Sequence, residues 1–137
     1  MNHHEREEVL LEIEVHISLV IEKAEQIGLL LNQGELTEAY SLLADLLEAT
    51  HLIFKVFENF DNYLGGPSNE LLELTDNLID ILGAIEEAKS TNDLITLKEG
   101  ISIYLVENLQ EWKDKGLETY FQRLSDQSHE ENAKAEK

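Results

Sequence analysis

Apolar side chains recur along this chain at intervals of three and four residues, with few alternating runs. That is the period of helices with one buried face, not of strands. Leu10, Ile13, Ile17, Val20, Ala24, Ile27 and Leu31 keep a strict 3-4-3-4-3-4 spacing, which predicts a first helix from about Glu5 to Leu31. Val9, Ile21 and Leu30 widen that stripe, so the helix has more than one neighbour and a bundle is expected. From about Glu35 to Tyr63 two stripes run in parallel. One passes through Leu36, Tyr40, Leu43, Leu47, Thr50, Phe54 and Phe57, the other through Ala39, Leu42, Leu46, Ala49, Ile53, Val56 and Phe60. Over half of this second helix is apolar, which places it centrally. A third stripe runs from Leu71 to Ala88 behind Ser68, a serine suited to cap a helix start. A fourth runs through Leu94, Leu97, Ile101, Leu105, Leu109 and Trp112.

Helix breakers punctuate this pattern at Asn32-Gln33-Gly34, Gly65-Gly66-Pro67 and Ser90-Thr91-Asn92. Three short connections between long helices imply antiparallel neighbours, so the expected fold is all-α, an up-down-up-down four-helix bundle. At 1.5 Å per residue the first two helices are each about 40 Å long. Gly116 is a candidate end for the fourth helix, with Leu117, Phe121 and Leu124 either continuing it or forming a short fifth one. Beyond Leu124 the apolar residues almost vanish. The expected organisation is one domain over 1–124 and a disordered polar tail over 125–137.

Charge narrows the range of partners. The 137-residue chain has a formal net charge of −19 and no cysteine. Between Ala24 and Ala88 Lys55 is the only lysine or arginine, against thirteen Asp and Glu. Nucleic acid and anionic membrane both require basic patches, so neither is an expected partner. The acidity serves solubility, or steers a basic partner. Absence of cysteine removes disulfides and thiolate chemistry and fits a reducing cytosol. The N-terminal segment has no basic-then-apolar signal pattern, and no apolar run approaches the ~20 residues of a membrane span. A cytoplasmic location is expected.

Candidate chemistry is sparse. Glu48 and His51 form an E-x-x-H, the spacing by which metal-binding bundles present a carboxylate and an imidazole on one face. The chain has no second copy of the motif; Glu107 and Gln110 are its nearest echo. Glu12 and His16, one turn apart on the first helix, are the candidates to complete a mononuclear site. There is no nucleophile elbow and no phosphate loop, so no catalytic residue and no cofactor is expected. The second helix ends in Phe54, Phe57, Phe60 and Tyr63, and the fourth carries Tyr104 and Trp112. Aromatic residues at this spacing fill cores or line a groove for a partner helix. The function expected is a non-enzymatic protein–protein interaction module, adaptor-like or chaperone-like, forming a homodimer and holding a basic or amphipathic helix. Those six aromatics are its candidate contacts; the metal-binding bundle is the alternative.

Two segments carry a resemblance. ELTEAYSLLADLLEATHLIFKVFENF and NDLITLKEGISIYLVENLQEWKD are similar to the second and fourth helices of a group of small bacterial helical proteins without assigned activity. The matching words are Asp93-Leu94-Ile95, Tyr104, Glu107 and Glu111-Trp112, within a span from Glu35 to Asp114. The chain departs from that pattern at Asn108 and at Ile101-Ser102-Ile103. The resemblance implies the helical fold and assigns no site residues. In size, acidity and helicity the chain also resembles the small chaperones of flagellar and type III export, through architecture alone.

Overall fold

A computed structural model describes residues 2–135, with side chains through residue 128. Helix α1 spans His3–Asn32, α2 Leu36–Tyr63 and α3 Asn69–Ser90. The last helix, α4, runs without a break over 94–135 and is bent. The chain is an all-α bundle, with no strand among the described residues.

Three of the four helix starts are capped by a short polar side chain; Glu35, ahead of α2, makes no such hydrogen bond. The Asn2 side chain accepts from the Glu5 amide at 2.8 Å, and the Glu5 carboxylate accepts from the Asn2 amide at 3.2 Å. Ser68 caps α3 through the Leu71 amide, and Asp93 caps α4 through the Thr96 amide. All three connections close in one way. The amides of Glu35, Gly66 and Asp93 reach back to the carbonyls of Leu30, Asp61 and Ala88, five residues earlier, at 2.7–2.9 Å. This turn needs a left-handed residue just before the reaching amide. Gly34 and Gly65 supply it at φ 76° and 89°, and Asn92 does so at φ 56°.

The core follows the expected stripes. Leu10, Ile17, Ala24 and Ile27 of α1, Ala39, Leu43 and Leu46 of α2, and Leu71, Leu78 and Ile85 of α3 are all buried. Helix α1 packs along α2 and along α4, and α3 packs along α4. Helices α2 and α3 make no comparable backbone contact, so this side of the bundle is open.

Helix α4 has three features of its own. It is π-helical over Gly100–Leu105 and again over Trp112–Gly116. Its buried positions Leu97, Ile101, Leu105 and Leu109 are four residues apart, and so are Trp112, Gly116, Tyr120 and Leu124. At 3.6 residues per turn each such step drifts about 40° around an α-helix. The wider π turns absorb the drift and keep the stripe on one face, and such insertions bend a helix. Second, Gly116 does not end the helix and there is no separate fifth one. A Cβ at Gly116 would lie 2.6 Å from Trp112 Cε3, so this glycine is where the indole lies against its own helix. Third, the segment from Ser125, expected as a disordered tail, continues as helix to Ala135. Leu124 is buried and Gln122 donates to Asp126 at 3.0 Å, which carries the helix past its last apolar anchor. The tail's final two positions, 136–137, lie outside the described residues.

Candidate functional site

Because α2 and α3 stand apart, a groove of about 710 Å³ runs between them. Its walls are Leu47, Phe54 and Phe57 from α2 and Leu78, Ile79 and Leu82 from α3. Glu48, Glu58 and Glu86 stand along it, with His51 and Lys55. Ile79 is 58% exposed, so the groove offers apolar surface to solvent inside an acidic rim.

Behind the groove the rings form one continuous array. Phe54 meets Trp112 edge-on at 5.8 Å between centroids, and Phe57 stacks on Trp112 at 4.7 Å and on Tyr120 at 5.1 Å. Phe60 closes the row against Tyr120 at 5.8 Å. The Tyr120 hydroxyl is buried and donates to Asp61 Oδ1 at 2.8 Å. Arg123 approaches the same carboxylate at 3.8 Å and donates through Nη2 to the carbonyls of Leu64 and Gly66. The last helix thereby grips the α2–α3 turn. Partial burial holds the Asp61 carboxyl above its ordinary range, and the Glu58 charge adds to that; the Tyr120 hydrogen bond and Arg123 pull it back down. Burial and the Asp61 carboxylate push the Tyr120 phenol well above 10.

The six aromatic candidates divide by burial. Phe57, Phe60 and Trp112 are core residues, 3%, 5% and 1% exposed, and act by shaping the groove rather than by touching an occupant. Phe54 is half-buried in the groove wall. Tyr63 is exposed at the end of α2, where the Arg6 guanidinium lies 3.4 Å over its ring. Tyr104 is exposed on α4 and is not part of the groove lining. The α3 wall, Leu78, Ile79 and Leu82, escaped the sequence reading as a site. Its one signal is Ile79, an aliphatic residue beside the regular stripe.

The four residues of the metal alternative do not come together. Glu48 and His51 line the α2–α3 groove, whereas Glu12 and His16 line a recess on the other side of α2, between α1 and α2. The helical period puts residues 48 and 51 on one face of α2 and Ala49, Leu52, Ile53 and Val56 on the next. Among the described residues no three His, Asp or Glu side chains are placed to hold a metal ion.

Among the described residues four buried side-chain polar atoms have no hydrogen-bond partner, and two of these lie in the core. These two are Trp112 Nε1 and Asn108 Oδ1, one turn apart on α4; Asn108 Nδ2 donates to the Leu74 carbonyl at 3.3 Å. A third, polar recess of about 830 Å³ lies between the start of α3 and the middle of α4. There Glu70, Glu73, Glu111 and Glu118 face Lys115 and Arg123. No described helix is long and apolar enough to cross a membrane.

The molecule is thus an all-α bundle with an open, acid-rimmed apolar side and no assembled metal constellation among its described residues. Residues 8–115 match the family model described as "Domain of unknown function (DUF8042)", and the chain belongs to that family. The match runs from the first turns of α1 to the second π-helical segment of α4. No curated protein and no solved structure matches the chain.

Proposed function

We propose that this protein is a non-enzymatic interaction module of the cytoplasm, working as an adaptor or chaperone that receives a basic amphipathic helix of another protein in the α2–α3 groove. The observation that carries this reading is the groove itself: aliphatic and aromatic walls, open to solvent, inside a rim of three glutamates. An amphipathic helix buries its apolar face in such a groove and leaves its flanks at the rim. Lys or Arg on those flanks meets Glu48, Glu58 and Glu86, and acidic flanks are repelled. The net charge of −19 raises the encounter rate with basic segments at low salt.

The test uses two designed helical peptides, one of Leu and Lys and one of Leu and Glu in the same pattern. Trp112, the only tryptophan, contacts Phe54 and Phe57 of the groove wall and reports binding by its fluorescence. Amide NMR shifts locate the peptide. Saturable binding of the Lys peptide is expected, with shifts concentrated on α2 and α3. Ile79→Ser removes exposed apolar wall without altering charge, and burial of an Ile side chain is worth about 1.5–3 kcal/mol. Only 58% of Ile79 is left for an occupant to bury, so the variant is expected to bind roughly fourfold to twentyfold more weakly. Equal binding of the Glu peptide, or unchanged affinity in Ile79→Ser, overturns the reading.

A further inference from the structure

The chain has seven glycines, and six of them have a visible use within it. Gly34, Gly65 and Gly66 hold positive φ in the turns. Gly28 of α1 lies against Ser102 of α4, and Gly100 of α4 lies against Ile85 of α3; in each case a Cβ would stand 3.0 Å from the neighbouring side chain. Gly116 takes the Trp112 ring. Gly83 belongs to neither group. It sits inside α3 without positive φ, and a Cβ there would meet nothing within 4 Å. Glycine is the poorest helix former after proline, so this position weakens α3 while serving no contact among the described residues.

On a helix surface a residue is surrounded by those three and four positions away, which for Gly83 are Asp80, Ile79, Glu86 and Glu87. All four are exposed, Ile79 at 58%. Ile79 is also the exposed lip of the α2–α3 groove, with Leu82 and Glu86 in the same wall. Helix α3 has no lysine or arginine from Asn69 to Ala88, and Lys89 in its last turn lies 5.6 Å from the Tyr40 ring centroid. The surface about Gly83 is therefore one aliphatic side chain and three carboxylates around a bare stretch of backbone. It repels an acidic segment, and equally the same face of a second copy, and it attracts lysine or arginine.

Where α4 meets α1 and α3, glycine stands at the contact, because the side chains between two helices set how closely they approach. We infer that the basic amphipathic helix received by the α2–α3 groove leans over Ile79 and crosses α3 at Gly83. An apolar side chain of the partner takes the space a Cβ would fill, and lysines or arginines on its flanks reach Asp80, Glu86 and Glu87. The two backbones come closest at Gly83, on the α3 side of the groove rather than midway between its walls. This rests on the groove reading above and adds where on α3 the partner lies.

Gly83→Ala is the test, because its effects on folding and on binding have opposite signs. In the free chain the added Cβ meets open space, and the better helix former is expected to raise Tm by about 2–5 °C. In the complex the same Cβ stands in the crossing, and the full-length variant is expected to bind the Leu and Lys peptide at least about fivefold more weakly. Gly83→Leu, at the same exposed position, is expected to fold and to weaken binding further. In the wild type the largest amide NMR shifts on adding the peptide are expected over 79–87. A peptide that binds Gly83→Ala as well as wild type, while Ile79→Ser still weakens it, overturns the crossing and leaves the groove reading standing. A peptide that does not bind the wild type overturns both. A Gly83→Ala chain less stable than wild type overturns the crossing as well, since the glycine then serves a contact within the chain.

Discussion

Replacing Tyr120 by Phe removes one oxygen atom and tests the contact by which the last helix holds the α2–α3 turn. The hydroxyl has no exposure to solvent and donates at 2.8 Å to the Asp61 carboxylate, and more weakly, at 3.4 Å, to the Phe57 carbonyl. The ring itself stays, so its stacking on Phe57 at 5.1 Å is preserved. What is lost is a hydrogen bond to a charged group, worth about 1.5–3 kcal/mol net. Asp61 is left with Arg123 at 3.8 Å, beyond hydrogen-bond distance, and with a side chain only 20% exposed. At neutral pH the expected loss is therefore about 1.5–3 kcal/mol by urea denaturation, or roughly 5–15 °C in Tm for a domain of this size.

The pH dependence of that loss separates this mechanism from a packing defect. The folded-state pKa of Asp61 is raised above 3.8. The native state thus binds a proton more readily than the unfolded chain, and this group's contribution to stability falls as pH rises from 3.8 through the folded pKa. The Tyr120 hydrogen bond favours the carboxylate and restrains that rise. Without it the folded pKa moves further up, the window widens, and the fall with pH is larger. Tyr120→Phe is consequently expected to cost most near pH 7 and least below the unfolded pKa of Asp61, where the carboxyl is protonated in both states. Asp61→Asn in the same background should remove most of the pH-dependent difference. A loss that is the same at both pH values, or no loss at all, refutes the assignment of this hydrogen bond as the clamp.

Gly116→Ala tests the second π-helical segment. Ala is a better helix former than Gly by about 1 kcal/mol, so local propensity predicts a gain. The added Cβ, 2.6 Å from a buried indole ring, predicts an overpacking cost of about 1–3 kcal/mol, and net destabilisation in urea is expected. Gly34→Ala should cost about 1–2 kcal/mol by the same measurement, because φ 76° strains any residue with a Cβ while nothing lies within 4 Å to clash with it. Adding zinc, manganese or ferrous iron should leave Tm unchanged in the wild type and in Glu48→Ala/His51→Ala alike; a metal-dependent rise abolished by that pair of substitutions would revive the metal site.

Periodicity carried the bundle, the helix order and all three turns, because each of those features is local. Gly34, Gly65 and Asn92 each sit where the chain needs a left-handed residue, and Asn2, Ser68 and Asp93 each sit where a helix start needs an acceptor. The π-helical segments were also written in the chain, as successive steps of four through Leu97, Ile101, Leu105 and Leu109. A stripe read only as threes and fours does not register that three fours in a row exceed the α period. The groove was not legible in the same way. Leu82 looks like a core residue on any helix wheel, and only its separation from α2 turns it into a wall. Glu48-x-x-His51 misled for a related reason: spacing fixes which residues share a face of one helix, but not which face of a second helix lies opposite.

The open side of the bundle follows from the sizes of the side chains at its helix contacts. Where α1 meets α4, Gly28 lies against Ser102, and a Cβ on it would sit 3.0 Å from Ser102 Cβ. Where α3 meets α4, Gly100 lies against Ile85 with the same 3.0 Å clearance. Glycine at both contacts lets those helices approach closely, since interaxial distance is set by the side chains between them. Between α2 and α4 the chain places five rings, Phe54, Phe57 and Phe60 against Trp112 and Tyr120. These hold α2 away from α4 while α3 is drawn in, so α2 and α3 cannot close on each other along their length. A groove formed in this way does not depend on loop conformation. Its width is fixed by a stacked aromatic core and its end by the Arg123 grip on Leu64 and Gly66, so the groove is preformed.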